Sequence, residues 1–514
     1  MKLYESKLPG GRYQNPILMM DLSDPDVIRV GEDYYLVSSS FTYLPGVPLL
    51  HSRDMLHWRQ LGWCVERIPF ARYDQPAHGC GTWAPAIRYH EGTFYVFVPL
   101  PDEGIFVTTA TDPAGPWSEL KPIWEGKGWI DPCPFWDDDG RAYMAHAYAN
   151  SRCGIKHRID VCPMAPNASR LLGEGTMVYQ NELLHPTMEG PKMDKRDGWY
   201  YIFAPAGGVA TGWQTVLRSR SPLGPYEAKI VMNQGQSPVN GPHQGAWVTT
   251  PDGKDWFYHF QDRGVYGRIL HLQPMCWVDG WPFIGQDRNG DGIGEPVDTW
   301  PLPLPSQAEG FEPANDDDFT GEKLGLQWQW QANPNRDWYT LGDGLALNIL
   351  PCVRGKSLLW YMPNVLTQMP QAEKFTMEAE LTLESQEEGD EAGIAVMGHS
   401  YSALALAKEK DGYALRLYQG TVTKQTPEGE AEEKLIRVIP WESERVTLRL
   451  HFRAGGKINY GCLAAGGKEV LLPKDFPADK STWSGAKPAL FARNGKNRKG
   501  GRGRFRAVHF TKER

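Results

Sequence analysis

Three acids occupy similar places in a recurring phrase of the chain: Asp24, Asp131 and Glu189. Asp24 stands 11 residues before Tyr35, Asp131 stands 12 before Tyr143, and Glu189 stands 12 before Tyr201. If the phrases fold alike, three carboxylates far apart in sequence meet at one point. Such a trio suits cleavage of a glycosidic bond. One protonated carboxyl protonates the leaving oxygen, and one carboxylate activates water or attacks. A third carboxylate nearby raises the acid's pKa by like-charge repulsion. The competing reading is that these acids hold a channel cation or cap strands.

The elements that must position them are legible as repeats. Asp24-Pro25-Asp26-Val27-Ile28 reads as a strand, Gly31-Glu32 as a turn, and Tyr34-Tyr35 as the opening of a second strand. Four variations follow, beginning at Trp83-Ala84-Pro85, Asp131-Pro132-Cys133, Glu189-Gly190-Pro191 and His243-Gln244-Gly245. Counted between Tyr35, Tyr95, Tyr143, Tyr201 and Tyr258, the period is 48 to 60 residues. All-β repeats of that length predict a five-bladed β-propeller, one four-stranded blade per repeat, with the first strands lining a channel. Helical periodicity is nearly absent.

Composition narrows the function classes. A net charge of −8 gives no reason to expect nucleic acid as a partner. Aromatics make up 12% of the chain, with 20 Trp, which suits stacking on sugar faces as well as packing between blades. The eight cysteines show no Cys-x-x-Cys pair and read mostly as buried thiols, which favours a reducing compartment, with one or two disulfides left open. The stretch Met1-Lys2-Leu3-Tyr4 has no apolar signal segment, and no apolar run reaches 18 residues. The expected location is cytoplasmic, or secreted or periplasmic if a leader has been removed, with no membrane partner.

The rest of the chain divides in two. Residues 1–305 form the propeller, with residues 1–14 as a lead-in that closes the ring. Trp300-Pro301-Leu302-Pro303-Leu304-Pro305 looks like a stiff linker leading into residues 306–315. Residues 316–514 alternate apolar and polar, as in Val446-Thr447-Leu448-Arg449-Leu450, and predict a second all-β domain, a sandwich of jelly-roll or concanavalin-like type. Seven Lys and Arg between Arg493 and Arg506 read as a solvated loop or as one reaching back to the propeller. Residues 285–292 place oxygen donors as a calcium loop would, with Asp298 at its twelfth position, or form a plain polar turn.

The motifs Asn15-Pro16-Ile17-Leu18, Asp24-Pro25-Asp26, Trp83-Ala84-Pro85, Ile130-Asp131-Pro132, Met188-Glu189-Gly190-Pro191 and Gly241-Pro242-His243-Gln244-Gly245 resemble glycoside hydrolase family 43. Phe319, Leu324-Gly325-Leu326-Gln327-Trp328 and Glu391-Ala392-Gly393 are similar to the concanavalin-like domain that accompanies many members. The resemblance implies an inverting enzyme acting on arabinose and xylose linkages. Asp24 would be the general base, Glu189 the general acid, and Asp131 the residue that tunes and orients Glu189. Inversion implies a base-to-acid separation of roughly 6.5–9.5 Å. The family pattern before the base departs here, reading Leu22-Ser23-Asp24. Asp26 competes for the role, but Asp24, like Asp131, precedes Pro.

Trp83 resembles a sugar-stacking position, with core packing as its rival, and Phe41 either walls the pocket or belongs to the core. Arg268 matches an arginine that binds the terminal sugar, or makes a structural salt bridge. His243 approaches a calcium ion or a water cluster in the family, or is structural. No cofactor is required on this reading, and a structural calcium is the one metal it admits. The wording of Pro205-Ala206-Gly207-Gly208 leans toward arabinofuranosidases, with a β-D-xylosidase acting on xylo-oligosaccharides as the alternative and a non-catalytic sugar-binding propeller as the rival class.

Overall fold

The computed structural model describes residues 2–352, 356–424, 429–464, 466–496 and 498–513. Met1 and Asn497, which belong to two of the segments read above, lie outside them. Among the described residues, strands dominate. The exceptions are one short helix, Asn150–Cys153, and four 3-10 turns.

Four four-stranded sheets and one five-stranded sheet follow one another through residues 18–284, each built from chain-consecutive antiparallel strands. Their first strands are Asp26–Val30, Ala86–His90, Trp129–Trp136, Lys192–Arg196 and His243–Thr249. Each lies beside the next, with Lys192–Arg196 reaching the fifth through its neighbour Trp199–Ala206, and His243–Thr249 returns to Asp26–Val30 to close the ring. Turn chemistry sets the hairpins. Glu91-Gly92 and Asp197-Gly198 take left-handed φ at both positions, the two-residue turn whose twist matches paired strands. The aromatic pairs then fall on the inner hairpins, where Tyr34, Phe97, Tyr201, Phe257 and Tyr258 are buried between sheets.

The lead-in does not close the ring. Lys7–Leu8 pairs with Arg12–Gln14, which pairs with Thr299–Pro301. The start of the segment read as a linker is therefore a strand, clipping the exit of the propeller to its entry. The extra strand in the fifth sheet is Leu18–Asp21, laid on Arg268–Val278.

The second half is a sandwich of two seven-stranded sheets. It is fused to the propeller through packing. Leu3, Met19, Tyr266 and Ile269 belong to the same apolar cluster as its core residues Phe375, Phe452 and Phe505. His78 stacks on Trp360 at 3.5 Å between centroids, and Asn333 donates to the carbonyl of Ile68.

The basic segment is a loop only in part: Lys496 and Lys499, between two strands, are exposed, while its arginines are bound within the sandwich. Arg493 ends the strand Lys487–Arg493, and Arg502, Arg504 and Arg506 lie on Arg502–Lys512. Their charges are taken by carboxylates within the sandwich: Arg493 by Glu391 and Glu433, Arg498 by Glu387, Arg502 and Arg504 by Glu384, and Arg506 by Asp343. A run of cations reads as a solvated loop only while its strand neighbours are unknown.

Candidate active site

Asp24 and Asp131 occupy one structural position in two sheets. Each precedes a proline, and each has φ 55°. That region disfavours most side chains, but Asp tolerates it, because its short carboxylate can bond locally. Holding a residue there costs about 1–3 kcal/mol, which the surrounding sheet must supply.

The equivalent residues in the fourth and fifth sheets are Gly190 (φ 61°), which also precedes a proline, and Gln244 (φ 43°). Glu189 therefore does not share the position of the two Asp residues, as its spacing predicts. It stands one residue earlier, in line with Ser23, Trp83, Ile130 and His243. The strand register agrees: Tyr201 faces Asp194, four residues after Gly190, as Tyr35 faces Ile28, four residues after Asp24. One residue of slip turns a side chain to the other face of a strand, so Glu189 enters the site from a different angle.

The three acids nonetheless meet. Gly190 N–H donates to Asp131 Oδ2 at 2.7 Å, so Asp131 grips the peptide that follows Glu189. Burial, reinforced by the charges of Glu189 and Asp24, pushes the Asp131 carboxyl up to about 8. Asp24 Oδ2 accepts from Ser23 Oγ at 2.9 Å and from Ser39 Oγ at 2.6 Å, and its Oδ1 accepts from Arg268 Nη1 at 3.1 Å. Asp24 and Asp131 are 5% and 4% exposed, whereas the Glu189 side chain is 27% exposed and nearest to solvent. Asp26, the competitor for the base, is fully buried and is held by Arg88 Nη1 at 2.7 Å and by Ile87 N–H at 2.8 Å.

His243 is also fully buried, and its Nε2 lies 2.9 Å from Glu189 Oε1. Its nearest acidic neighbour is thus the proposed acid itself. Among the described residues, no group of three or more His, Cys, Asp or Glu converges as metal ligands. The candidate calcium loop turns its oxygens inward. Asp287 accepts from Gly290 N–H and Gly292 N–H, Asp291 accepts from Ile293 N–H, and Asp298 meets Arg288. The strands Trp281–Ile284 and Thr299–Pro301 flank it where an EF-hand would have helices.

Phe41 and Trp83 are almost buried and meet edge to face at 6.1 Å. The Arg268 guanidinium lies 5.8 Å from the Phe41 ring, 4.9 Å from Phe260 and 5.8 Å from Trp483. Trp483 had no signal in the sequence. It comes from the sandwich, in the loop before Lys487–Arg493, yet it stands edge to face with Trp83 at 6.1 Å and is 47% exposed. Of the three aromatics, it has by far the most free surface. Asp21, which accepts from Arg268 N–H and Gly485 N–H, was missed for the same reason, its partners being more than two hundred residues away.

All eight cysteines are free, and five of them are buried. No helix among the described residues is long and apolar enough to cross a membrane.

Comparison with known proteins agrees with this architecture. Residues 13–282 match the family model Glycosyl hydrolases family 43, and residues 316–511 match the Beta xylosidase C-terminal Concanavalin A-like domain. A Xylanibacter ruminicola protein that carries a beta-xylosidase name is 43% identical over 402 residues, 78% of this chain and 73% of its own. A non-reducing end alpha-L-arabinofuranosidase of Bacteroides ovatus is 30% identical over 455 residues, 82% of this chain and 80% of its own. The crystal structure of a GH43 protein from Bacillus licheniformis superposes with a TM-score of 0.82 at 25% identity, covering 98% of this chain and all of that one. Both halves of the chain are thus accounted for, and the chain belongs to glycosyl hydrolase family 43, a family of glycosidases.

Proposed function

We propose that the protein is an exo-acting, inverting glycoside hydrolase that releases terminal β-D-xylosyl and α-L-arabinofuranosyl units from hemicellulose-derived glycans. The observation that carries this reading is the meeting of Asp24, Glu189 and Asp131 at one end of the ring, with Asp131 tied to the peptide beside Glu189. The names of the relatives support both sugars.

In this reading a water attacks the anomeric carbon while Asp24, oriented by Ser23, Ser39 and Arg268, takes its proton. Glu189 gives a proton to the glycosidic oxygen as the bond to the leaving group breaks. The products are the sugar with inverted configuration and the free alcohol, and both proton transfers are made by carboxyls, so the chemistry needs no cofactor. Asp131 positions Glu189 through the Gly190 peptide. Arg268 binds the terminal sugar, and Trp483 offers it the open aromatic face that Trp83 and Phe41 lack. A wall contributed by the sandwich blocks a continuing chain, which favours exo action.

The test is hydrolysis of paired aryl β-D-xylosides and α-L-arabinofuranosides, with the product anomer followed by NMR and Glu189→Ala run alongside. Turnover that collapses in the variant and yields the inverted anomer is expected. A folded wild type that cleaves neither glycoside would leave a sugar-binding propeller in its place.

A further inference from the structure

Beneath Arg268, the two domains meet at a buried carboxylate that the reaction does not use. Asp21 is the last residue of the strand Leu18–Asp21 and stands three residues before Asp24. Its Oδ1 accepts from Arg268 N–H at 2.8 Å, and its Oδ2 accepts from Gly485 N–H, also at 2.8 Å. One carboxylate thus ties the backbone of the sugar-binding arginine to the backbone of the sandwich loop that carries Trp483.

The approach is close enough to dictate residue types. A Cβ at Gly267 would lie 2.2 Å from the Asp21 carboxyl carbon, and a Cβ at Gly485 would lie 2.6 Å from Gly267 N. Ala486 N–H donates to Val265 O at 2.8 Å, so the loop is also pinned to the 3-10 turn Gly264–Tyr266 that leads into Arg268–Val278. Further along, a Cβ at Gly79 would collide with Thr482 at 2.4 Å.

Facing this junction is Lys487, 4% exposed, the first residue of its strand and the next after Ala486. Its backbone is held in the sandwich sheet opposite Met397, and its ammonium lies 4.6 Å from the Tyr43 ring of the propeller. No carboxylate among the described residues lies within salt-bridge distance of it. A buried ammonium without a direct partner is costly. Burial pulls Lys487 down to about 8, and Asp21 is the one charge that opposes this pull. Burial raises Asp21 in turn, and Lys487 is the first group that counters it, followed by Arg268 N–H, Gly485 N–H and the Arg268 charge.

We propose that Lys487 is a positioning residue for the glycosidase site: its ammonium is the counter-charge of Asp21, and Asp21 clamps Arg268 of the propeller to the Trp483 loop of the sandwich. The pocket's two walls are then one unit, and the sandwich takes part in substrate binding through Lys487 without that residue touching sugar. The inference rests on the reading of Arg268 and Trp483 as sugar-binding residues.

The experiment compares wild type, Lys487→Met and Lys487→Arg as full chains. Hydrogen exchange is measured at the Gly485 and Arg268 amides, and KM and kcat on the aryl glycosides. In Lys487→Met both amides should exchange faster and KM should rise about ten- to a hundredfold, with kcat less affected. Lys487→Arg should recover most of the protection and most of the KM. Unchanged exchange at both amides in Lys487→Met overturns the clamp, as does a wild-type KM in a variant whose only change is a lower Tm. A wild type inert toward both glycosides would defeat the functional reading alone, because the exchange rates still decide the clamp.

Discussion

The mouth of the propeller and the interior of the sandwich both bury charge, and they do so in opposite ways. In the sandwich, Arg493 is 2% exposed and fully engaged. Its Nε donates to Glu391 Oε1 at 2.7 Å, its Nη2 to Glu433 Oε1 at 2.8 Å, and its Nη1 to Ser357 O at 2.8 Å. Tyr418 donates to Glu391 Oε2, and Tyr401 donates to Glu433 Oε2, which also accepts from Arg493 Nη1. At the propeller mouth, three acids of one sign share a site with Arg268 beside Asp24 and with the Lys192 charge acting on Asp131; Asp24 and Asp131 are held at left-handed φ before proline, and Asp131 is pressed upward in pKa. Opposite charges with every donor and acceptor used make a structural network. Like charges held together against repulsion and strain are the mark of a functional site.

The largest expected effect tests the mouth. Glu189→Ala and Asp24→Asn, the latter keeping a side chain that tolerates the left-handed φ, should each lower kcat by about 10²–10⁴-fold, read on aryl glycosides, while the melting transition changes little. A variant with wild-type turnover would remove that residue from the chemistry. The sandwich should respond the other way. Arg493→Met strands Glu391 and Glu433 in the interior and should cost about 3–5 kcal/mol of stability, with kcat per folded molecule unchanged. Denaturant melts with parallel assays check this, and lost activity at unchanged stability would erase the contrast.

Asp131→Asn sharpens it further. The Asp131 carboxyl is raised from 3.8 to about 8 in the folded protein. Between those values the native state holds a proton that the unfolded chain releases. The stability linked to this group is therefore fully present below about 3.8 and is lost as pH rises toward 8. The variant cannot titrate, so its Tm should gain on wild type from pH 4 to pH 8 even as kcat falls. A constant Tm difference across that range would contradict the assignment. The smallest effect is expected for Trp483→Ala. Loss of one stacking face should raise KM about tenfold, on the order of 1–2 kcal/mol, with kcat close to wild type, and the KM ratio for xyloside over arabinofuranoside shows which sugar uses that face.

How much was legible in the chain follows from where each partner lies. Asp24 and Asp131 could be aligned by counting because both precede proline in hairpins of one pattern. Glu189 was grouped with them by a spacing that is one residue off, since its repeat places Gly190 before the proline. The arginines of the basic segment and the Trp300-Pro301 stretch were misread because their strand neighbours, Glu384 and Tyr13, are more than a hundred residues away.

The sequence by itself determined the repeat, the all-β class, the two halves, the identity of the three acids and the family they belong to. These are written in local grammar: turn residues, alternation and the residues beside each proline. Only the tertiary structure decided that Glu189 enters one residue out of step, that His243 rests on it, and that the sandwich brings Trp483 beside Trp83 and Arg268 and buries Lys487 against the propeller's Tyr43. Those facts depend on closing the ring and docking a second domain on it, and burial and close approach across such contacts leave no periodic trace in the chain.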